Sequence, residues 1–488
     1  MPEHSRRLDL RAIAREAMLN RGFLVGFPDR ARDESEAMSE PDFQSLGIRD
    51  LRSWLWSSID NDDSRDLDQI EFAKIEPRGT RIFVGIADVD WFVHAGSALD
   101  SAAAHNTTSV YTGVQTFPML PERLSTGLSS LNEAEKRLAV VTEMLVGEDG
   151  RVLESSVYRA IVQNKVQLTY NGVAAWLDDD PKTKTPEKIE RSAELQGQLK
   201  MQDAAAQALR EKRHEAGALT FHTTELRPVV TADGTVVDLE SKEHNRATLL
   251  IEDFMIAANQ ATAAFLEQRG FPGIRRIVKD PERWDRIRVL AASLGGNLPP
   301  EPDARELEGF LQEQKRRDPS HFPELSLTVI KLLGRGEYVV KTPSRDAPGH
   351  FGLAVQNYSH STAPNRRYPD LLTQRLVKAA LTGKMPPYSA DALADLAKHC
   401  TQKEDDATKV ERLVKKCAAA ALLRSRIGQK FDGIVAGVNA DGTWVRILRP
   451  PVEGKLHGVE KRLDVGHRVH VQLVSVDPEK GFIDFELR

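Results

Sequence analysis

Cysteine is nearly absent from this chain of 488 residues, which contains only Cys400 and Cys417. Two cysteines at that separation provide neither a disulfide framework nor the closely paired spacing of a zinc site. We therefore expect neither a disulfide-stapled secreted fold nor a zinc domain. Cys417 lies in an alanine-rich stretch and is predicted to be a small buried hydrophobe.

Long apolar runs are also missing from the sequence. No run approaches the roughly 18 apolar residues that indicate a membrane-spanning helix, and the first residues lack the apolar segment of a signal peptide. The prediction is a cytoplasmic protein that does not associate with membranes. Nothing in the sequence indicates an obligate protein partner.

An excess of basic charge is lacking as well, since 67 Lys and Arg stand against 72 Asp and Glu, a formal net charge of −5. This balance argues against a protein that coats nucleic acid non-specifically, but it permits an enzyme with a local basic channel. A hydrophobic content of 40% and a charged content of 28% are ordinary for a globular protein. The length predicts two to four domains.

The densest feature that is present is an acidic stretch between Ile59 and Gln69. Five aspartates fall within nine residues: Asp60, Asp62, Asp63, Asp66 and Asp68. Carboxylates this close raise one another's pKa values, and a divalent cation removes that penalty. Oxygen ligands of this kind suit Mg²⁺, Mn²⁺ or Ca²⁺. Because apolar residues flank the stretch on both sides, a binding site is favoured over a solvated loop.

Two kinds of metal site fit this stretch. The spacing matches the ligand positions of an EF-hand calcium loop, which would be Asp60, Asp62, Ser64, Asp66, Asp68 and Glu71. However, Arg65 stands where that loop needs glycine, and the residues that follow alternate as strands rather than forming an exit helix. The second interpretation is a magnesium site for phosphoryl chemistry, in which carboxylates hold ions against the attacking and leaving oxygens.

Four blocks of sequence resemble the ribonuclease II (RNB) family of exoribonucleases. The aspartates are followed by Phe-Val-Gly-Ile-Ala-Asp-Val, and three further matching blocks come in the order that the family has. The blocks are 60–68 with 83–89, 118–125, 251–259, and 350–354 with 364–370. The resemblance covers about residues 50–425.

The resemblance implies an α+β fold with three parts. Residues 49–427 would form the RNB catalytic domain, a mixed β-sheet core wrapped by helices. Residues 428–488, with short alternating runs separated by Gly, Asp and Pro, predict a five-stranded OB barrel similar to the S-one-type RNA-binding domain. Residues 1–48 would form a small helical element. Its basic helix, predicted over 5–22 and followed by a charged linker over 30–40, either contacts RNA as a helix-turn-helix-like element or packs on the neighbouring domain.

The activity implied by the resemblance is processive 3′-to-5′ hydrolysis of single-stranded RNA to nucleoside 5′-monophosphates, with Mg²⁺ and with Mn²⁺ as a possible substitute. Asp66, Asp68 and Arg366 would be catalytic, and Arg366 would contact the scissile phosphate. The metal ligands would be Asp60, Asp66, Asp68 and Gln69. Gln69 stands where the family normally has aspartate, so it offers an oxygen without charge. This departure keeps a second function open, a catalytically weakened RNA-binding paralogue, and a calcium-binding interaction protein is the third.

The residues that would bind RNA are implied by shorter matches. Tyr170 and Phe221 would stack on the last bases at the 3′ end, although core packing is the alternative for both. Acidic side chains would line the channel, and either Glu252 or Asp253 would be one of them. The full predicted set is Tyr170, Phe221, Glu252, Asp253, Arg366, Arg367, Glu411, Trp444 and Arg446. Arg367 is expected to be structural or to contact the RNA backbone.

Overall fold

The computed structural model describes residues 8–179, 185–223, 225–231, 236–242, 244–439, 441–458 and 463–488. The helices are α1 (Leu10–Asn20), α2 (Asp29–Glu36), α3 (Ala98–Asn106), α4 (Tyr170–Leu177), α5 (Glu187–Glu190), α6 (Ala193–Glu215), α7 (Arg246–Gln268), α8 (Trp284–Ser293), α9 (Ala304–Arg317), α10 (Phe322–Leu333), α11 (Tyr368–Leu381) and α12 (Ala390–Leu423). The strands are β1 (Arg49–Asp50), β2 (Trp56–Asp60), β3 (Gln69–Glu76), β4 (Gly79–Ala87), β5 (Val110–Tyr111), β6 (Thr116–Phe117), β7 (Lys136–Val146), β8 (Val152–Thr169), β9 (Glu225–Val230), β10 (Val236–Lys242), β11 (Gly273–Ile277), β12 (Glu337–Lys341), β13 (Lys430–Asn439), β14 (Gly442–Ile447), β15 (Glu453–His457), β16 (Arg468–Asp477) and β17 (Phe482–Leu487).

A six-stranded sheet forms the centre of the larger part of the molecule. Its strand order is β1-β8-β2-β3-β4-β7, and β8 also pairs with β7. The β1–β8 and β2–β8 pairs are parallel, whereas the β2–β3, β3–β4, β4–β7 and β7–β8 pairs are antiparallel. The predicted mixed sheet within an α+β fold is therefore confirmed.

Helices cover both faces of this sheet because its strands alternate apolar side chains between two cores. Ile70 and Phe83 face a core that includes residues of α3, α11 and α12. Ile59 and Val84 face the second core, against α4, α6 and α7. In the described part of the chain, α7 alone is long and apolar enough to cross a membrane, but 72% of its apolar window is buried inside the protein. Such burial is typical of a core helix.

The N-terminal segment contains two helices, the first of which packs on α12. Ala14 and Met18 of α1 are buried against Val410 and Val414. Of the two roles predicted for the basic helix, this is packing on the neighbouring domain. The prediction of a linker over 30–40 was wrong, because α2 occupies Asp29–Glu36. Its strongly polar composition concealed the helical pattern, in which only two small residues four apart, Ala31 and Ser35, are buried.

The C-terminal segment folds as a closed barrel in the order β13-β14-β15-β17-β16, which confirms the predicted five-stranded barrel. Its interior is filled by alternate apolar residues such as Val435, Val445 and Phe485. The last turns of α12 contribute Leu423 to the same core. Both cysteines are buried and free, as predicted for Cys417.

Candidate active site

The acidic stretch joins two neighbouring strands at one end of the central sheet. β2 ends at Asp60 and β3 begins at Gln69, so the loop between them crosses the sheet end. β3 continues to Glu76 where an EF-hand would have its exit helix, and the EF-hand interpretation is therefore wrong. Along β3 the side chains alternate, which places Gln69 and Glu71 on the face opposite Ile70.

A cavity of about 480 Å³ opens above this loop. It brings together most of the side chains that the sequence assigns to chemistry, although they lie up to 306 positions apart in the chain. The lining residues are Asp60, Asn61, Ser64, Asp66, Asp68, Gln69, Tyr111, Tyr170, His244, Thr248, Ile251, Glu252, Met255, Thr362 and Arg366. We call this space the acidic cavity.

Asp68 is the most deeply held carboxylate of the acidic cavity, with 1% of its surface exposed. Its Oδ1 accepts a hydrogen bond from the backbone N–H of Asn365 at 3.0 Å, and its Oδ2 accepts one from Nε of Arg366 at 3.2 Å. Burial raises the pKa of Asp68 to about 7, with the charge of Asp66 adding to the rise and Arg366 opposing it. The contact between Asp68 and Arg366 thus joins the acidic loop to the segment that carries Arg366.

The other two predicted ligands are held by local hydrogen bonds. Asp60 Oδ1 accepts from the backbone N–H of Asn61 at 2.7 Å and from the hydroxyl of Ser64 at 3.0 Å. Burial raises the pKa of Asp60. Asp66 Oδ2 accepts from the hydroxyl of Tyr111 at 2.8 Å. Sequence reasoning missed Tyr111, because it lies in a two-residue strand and nothing local marks it as a partner of the acidic loop.

Glu71 is a second residue that the predicted catalytic and magnesium sites left out, although the EF-hand interpretation included it. It is fully buried two positions after Gln69, and neither carboxylate oxygen has a hydrogen-bond partner among the described residues. Burial raises its pKa well above the usual value, and the nearby charge of Asp60 adds to the rise. The period of two along β3 could have signalled a carboxyl on the same face as Gln69, although Glu71 does not line the acidic cavity.

The loop that presents Arg366 is fixed from behind by buried polar contacts. Asp370 Oδ1 accepts from the backbone N–H of Ala363 at 2.8 Å and from Nη2 of Arg367 at 2.8 Å. The hydroxyl of Ser129 donates to Oδ1 of Asn365 at 2.6 Å. These contacts place Arg367 against Asp370 rather than along the acidic cavity, and its side chain holds the loop.

The adjacent acids of α7 point in different directions. Glu252 lines the acidic cavity, with its Oε2 4.0 Å from Nδ1 of His244. Asp253 is 1% exposed and pairs instead with Arg210, at 2.6 Å, and with Arg213. Burial raises the pKa of Asp253, while Arg213 and Arg210 lower it. Asp253 therefore anchors α6 to α7, and Glu252 is the acid available to a ligand.

Four other predicted RNA-binding residues lie outside the lining of the acidic cavity. Phe221 packs against the cluster formed by α8, α9 and α10. Glu411 of α12 is close to the cavity, because its Oε1 accepts from the backbone N–H of Tyr111 at 3.0 Å. Trp444 and Arg446 are on β14 of the barrel, where burial lowers the pKa of Arg446.

The donor set of the acidic cavity fits a hard divalent cation in its chemistry. The predicted ligands Asp60, Asp66, Asp68 and Gln69 offer three carboxylates and one amide oxygen to this cavity. The raised pKa values of Asp60 and Asp68 indicate a cost of burial that a cation would relieve. Within the described ranges, however, no group of three or more His, Cys, Asp or Glu side chains has a geometry ready to hold an ion. The carboxylates are turned instead toward protein donors.

Comparison with known proteins identifies the same two family domains that the sequence resembles. A family model described as RNB domain matches residues 48–383, and one described as RNase II-type exonuclease C-terminal S1 domain matches residues 429–488. Ribonuclease R 1 of Lactococcus lactis is 30% identical over 504 residues, which covers 96% of this chain and 60% of that protein. Ribonuclease R of Escherichia coli is 31% identical over 486 residues, with 92% and 58% covered. The chain thus spans about three fifths of the length of these curated relatives.

Among solved structures, RNase R of Mycoplasma genitalium in complex with ribose methylated single-stranded RNA matches with a TM-score of 0.87. The sequences are 22% identical, and the match covers 98% of this chain and 78% of that one. At this identity the likeness shows a shared fold.

Proposed function

Since the chain belongs to the RNB-domain family, we propose that it is an exoribonuclease that shortens single-stranded RNA from the 3′ end and releases nucleoside 5′-monophosphates. The observation that carries the proposal is the meeting of Asp60, Asp66, Asp68 and Arg366 in one cavity. A cation held by these carboxylates would supply the electrostatic stabilisation that phosphodiester hydrolysis needs. The proposal includes processive action.

The side chains of the acidic cavity divide the work of binding and orientation. Arg366 keeps a permanent positive charge beside Asp68, and its planar fork can contact two oxygens of the scissile phosphate. Tyr170 offers a ring face to the terminal base, which tolerates any sequence. Glu252 lies where it can accept hydrogen bonds from a ribose. Arg367 contributes through Asp370, by holding the loop in place.

RNB-family exoribonucleases generally depend on a divalent metal. In this chain the ligands would be Asp60, Asp66, Asp68 and Gln69. The bound metal would neutralise phosphate charge and favour ionisation of the attacking water. We propose Mg²⁺ as this ion, with Mn²⁺ as a substitute. The carboxylates would exchange their present protein donors for the ion.

The proposal also assigns the remaining parts of the chain. Phe221, Glu411, Trp444 and Arg446 would contact RNA beyond the acidic cavity. The divisions 1–48, 49–427 and 428–488 remain the proposed domain boundaries, and the cytoplasm the proposed location. No partner other than RNA is part of the proposal.

A second candidate function is a catalytically weakened RNA-binding paralogue. The observation that favours it is Gln69, which lines the acidic cavity with an uncharged amide. The buried Glu71 does not replace the missing charge at the cavity surface, because it does not line the acidic cavity.

Incubation with a 5′-labelled 30-nucleotide RNA and Mg²⁺ separates the two candidates. A descending ladder of labelled RNA, release of nucleoside 5′-monophosphates and loss of both with EDTA are the expected results. The Arg366→Ala variant should lose the ladder while remaining folded by circular dichroism. Retention of RNA without shortening supports the paralogue, and the absence of both binding and cleavage contradicts both candidates.

A further inference from the structure

Helix α7 carries a buried asparagine, Asn259, that the proposed function does not use. Its side chain is 1% exposed and lies among mostly apolar buried residues of the helix. A buried amide costs free energy unless its polar atoms are hydrogen-bonded. The side-chain bonds that satisfy Asn259 all lead to one stretch, residues 358–362. We call this stretch the lead segment, because it precedes Arg366 in the chain.

The amide of Asn259 holds the lead segment at three residues. Its Oδ1 accepts hydrogen bonds from the backbone N–H and from the hydroxyl of Ser361, each at 2.8 Å. Its Nδ2 donates to the hydroxyl oxygens of Tyr358, at 3.4 Å, and of Thr362, at 3.5 Å. An amide has two donors and can accept two such bonds, so the full capacity of the side chain goes to this segment. A leucine has a similar shape and could make none of these bonds.

The lead segment enters the active site directly after the residues that Asn259 holds. Thr362 lines the acidic cavity, and Arg366 follows four positions later. The contacts described above for the loop of Arg366 begin at Ala363, whose backbone N–H donates to Asp370. Asn259 therefore holds the chain on one side of its entry into the cavity, and Asp370 holds it on the other.

The same helix also carries Glu252 into the acidic cavity. Glu252 and Asn259 are seven positions apart, which is about two helical turns, so they lie on one face of α7 about 10 Å apart along its axis. The helix is thus a rigid spacer between the acid assigned to the ribose and the segment that presents Arg366. Spacing of this kind matters for rate, because a misplacement of about 1 Å at a reacting centre can cost about a hundredfold.

We infer that Asn259 is a positioning residue, which sets through Ser361 and Thr362 where Arg366 meets the scissile phosphate. The inference rests on the exoribonuclease function proposed above. Asn259 does not line the acidic cavity, so it acts through the lead segment and does not touch RNA. Its loss should lower turnover and leave the affinity for RNA, which many contacts share, nearly unchanged.

Two substitutions of Asn259 test this role. In Asn259→Ala, turnover at saturating Mg²⁺ should fall at least tenfold, while the dissociation constant for RNA stays within threefold of wild type. Asn259→Asp should restore turnover to within threefold of wild type. Its carboxyl keeps an oxygen for Ser361, and the hydroxyls of Tyr358 and Thr362 can rotate to donate to the other oxygen.

Gln198→Ala is the matched control for the loss of a buried amide. Gln198 is 6% exposed on α6, and its amide accepts from the backbone N–H of Ala73 and donates to the carbonyl oxygen of the same residue, both at 2.8 Å. Its removal should lower the unfolding temperature, as Asn259→Ala does, and should leave turnover within threefold of wild type.

A double variant separates positioning from a general structural defect. The residual single-turnover rate of Asn259→Ala combined with Arg366→Ala should lie within threefold of that of Arg366→Ala alone. A guanidinium that has been removed cannot be misplaced, so the two losses should not multiply.

The outcomes distinguish the positioning role from the proposed function. If the wild type makes no cut, the exoribonuclease function fails. If the wild type cuts, the role of Asn259 is overturned by turnover of Asn259→Ala within threefold of wild type, by an equal loss of turnover in Gln198→Ala, by a failure of Asn259→Asp to restore turnover, or by losses that multiply in the double variant.

Ser361→Ala provides the test if Asn259→Ala does not fold. It removes the hydroxyl bond to Oδ1 of Asn259 and keeps the bond from the backbone N–H. Ser361 does not line the acidic cavity, so any effect on chemistry must pass through the lead segment. Turnover should fall at least threefold at an unchanged dissociation constant for RNA, and unchanged turnover would overturn the assignment.

Discussion

Replacing Asp68 by asparagine tests the centre of the candidate site. The carboxylate has one oxygen for the N–H of Asn365 and the other for Arg366. An amide has only one acceptor oxygen, so its NH₂ group must face one of these two donors. The lost hydrogen bond involves a charged partner and is worth about 1.5–3 kcal/mol. Because Arg366 is 45% exposed, water can compensate part of that loss and we expect destabilisation at the lower end.

The effect on turnover should be larger than the effect on folding. The Asp68→Asn change would leave Arg366 without its anchor and would remove a carboxylate from the metal ligands. Losing one preorganised electrostatic group in an active site costs about 2.7–4 kcal/mol of transition-state stabilisation. At about 1.4 kcal/mol for each factor of ten, this predicts a loss of turnover of at least about a hundredfold. RNA binding should be retained, since a side chain that is 1% exposed offers little contact.

The assay combines three measurements on purified protein. Initial rates on 5′-labelled RNA at saturating Mg²⁺ give turnover, binding in EDTA gives the dissociation constant, and circular dichroism gives the unfolding temperature. Asp62→Asn is the matched control, because Asp62 is exposed in the same loop and does not line the acidic cavity. Turnover of Asp68→Asn within about tenfold of wild type would refute the catalytic assignment.

Neighbouring groups give three further predictions. Gln69→Asp should lower the Mg²⁺ concentration for half-maximal activity, because a charge at close range is worth on the order of a few kcal/mol; an unchanged requirement in a titration at saturating RNA would mean that Gln69 is not a ligand. Glu252→Gln should reduce activity on RNA at an unchanged unfolding temperature. Asp253→Asn should lower the unfolding temperature, because Arg210 and Arg213 lose a buried counter-charge, and the free energy of unfolding should fall by about 3–5 kcal/mol at most. An equal drop in unfolding temperature for both variants would contradict this division of roles. In EDTA, the free energy of unfolding of wild type relative to Asp68→Asn should fall as pH rises from about 4 to 7, because the raised pKa of Asp68 means that the folded state binds the proton more tightly than the unfolded state. Denaturant unfolding at several pH values measures this difference, and a difference that grows with pH would contradict the raised pKa.

The parts of the fold that could be predicted are those encoded by local patterns. The apolar period along α7, the alternation of the barrel strands and the density of aspartates between β2 and β3 are all visible in the sequence. By contrast, α2 has too little apolar surface to signal a helix, since its buried face is formed by Ala31 and Ser35. The high polarity of residues 30–40 therefore led to the incorrect prediction of a linker.

The candidate site divides in the same way. Asp60, Asp66, Asp68 and Gln69 are close in sequence, and their meeting in one cavity was predicted with Arg366 and Tyr170. The role of Tyr111 could not be predicted from its sequence neighbours, because its hydrogen-bond partner Asp66 lies 45 positions away in the chain. The choice between Glu252 and Asp253 likewise required the position of α6, whose arginines bind one acid and leave the other at the cavity. Contacts between distant segments decide such cases.

Helix α12 has a consequence for the cooperativity of the whole molecule. Along its 34 residues it enters the sheet core through Leu393, the N-terminal core through Val410 and the barrel core through Leu423. A continuous helix rises about 1.5 Å per residue, so one rod of about 50 Å fixes the spacing of three cores. A break in α12 between two of these cores would loosen the packing of both. We therefore expect the parts of the protein that α12 joins to unfold together rather than independently.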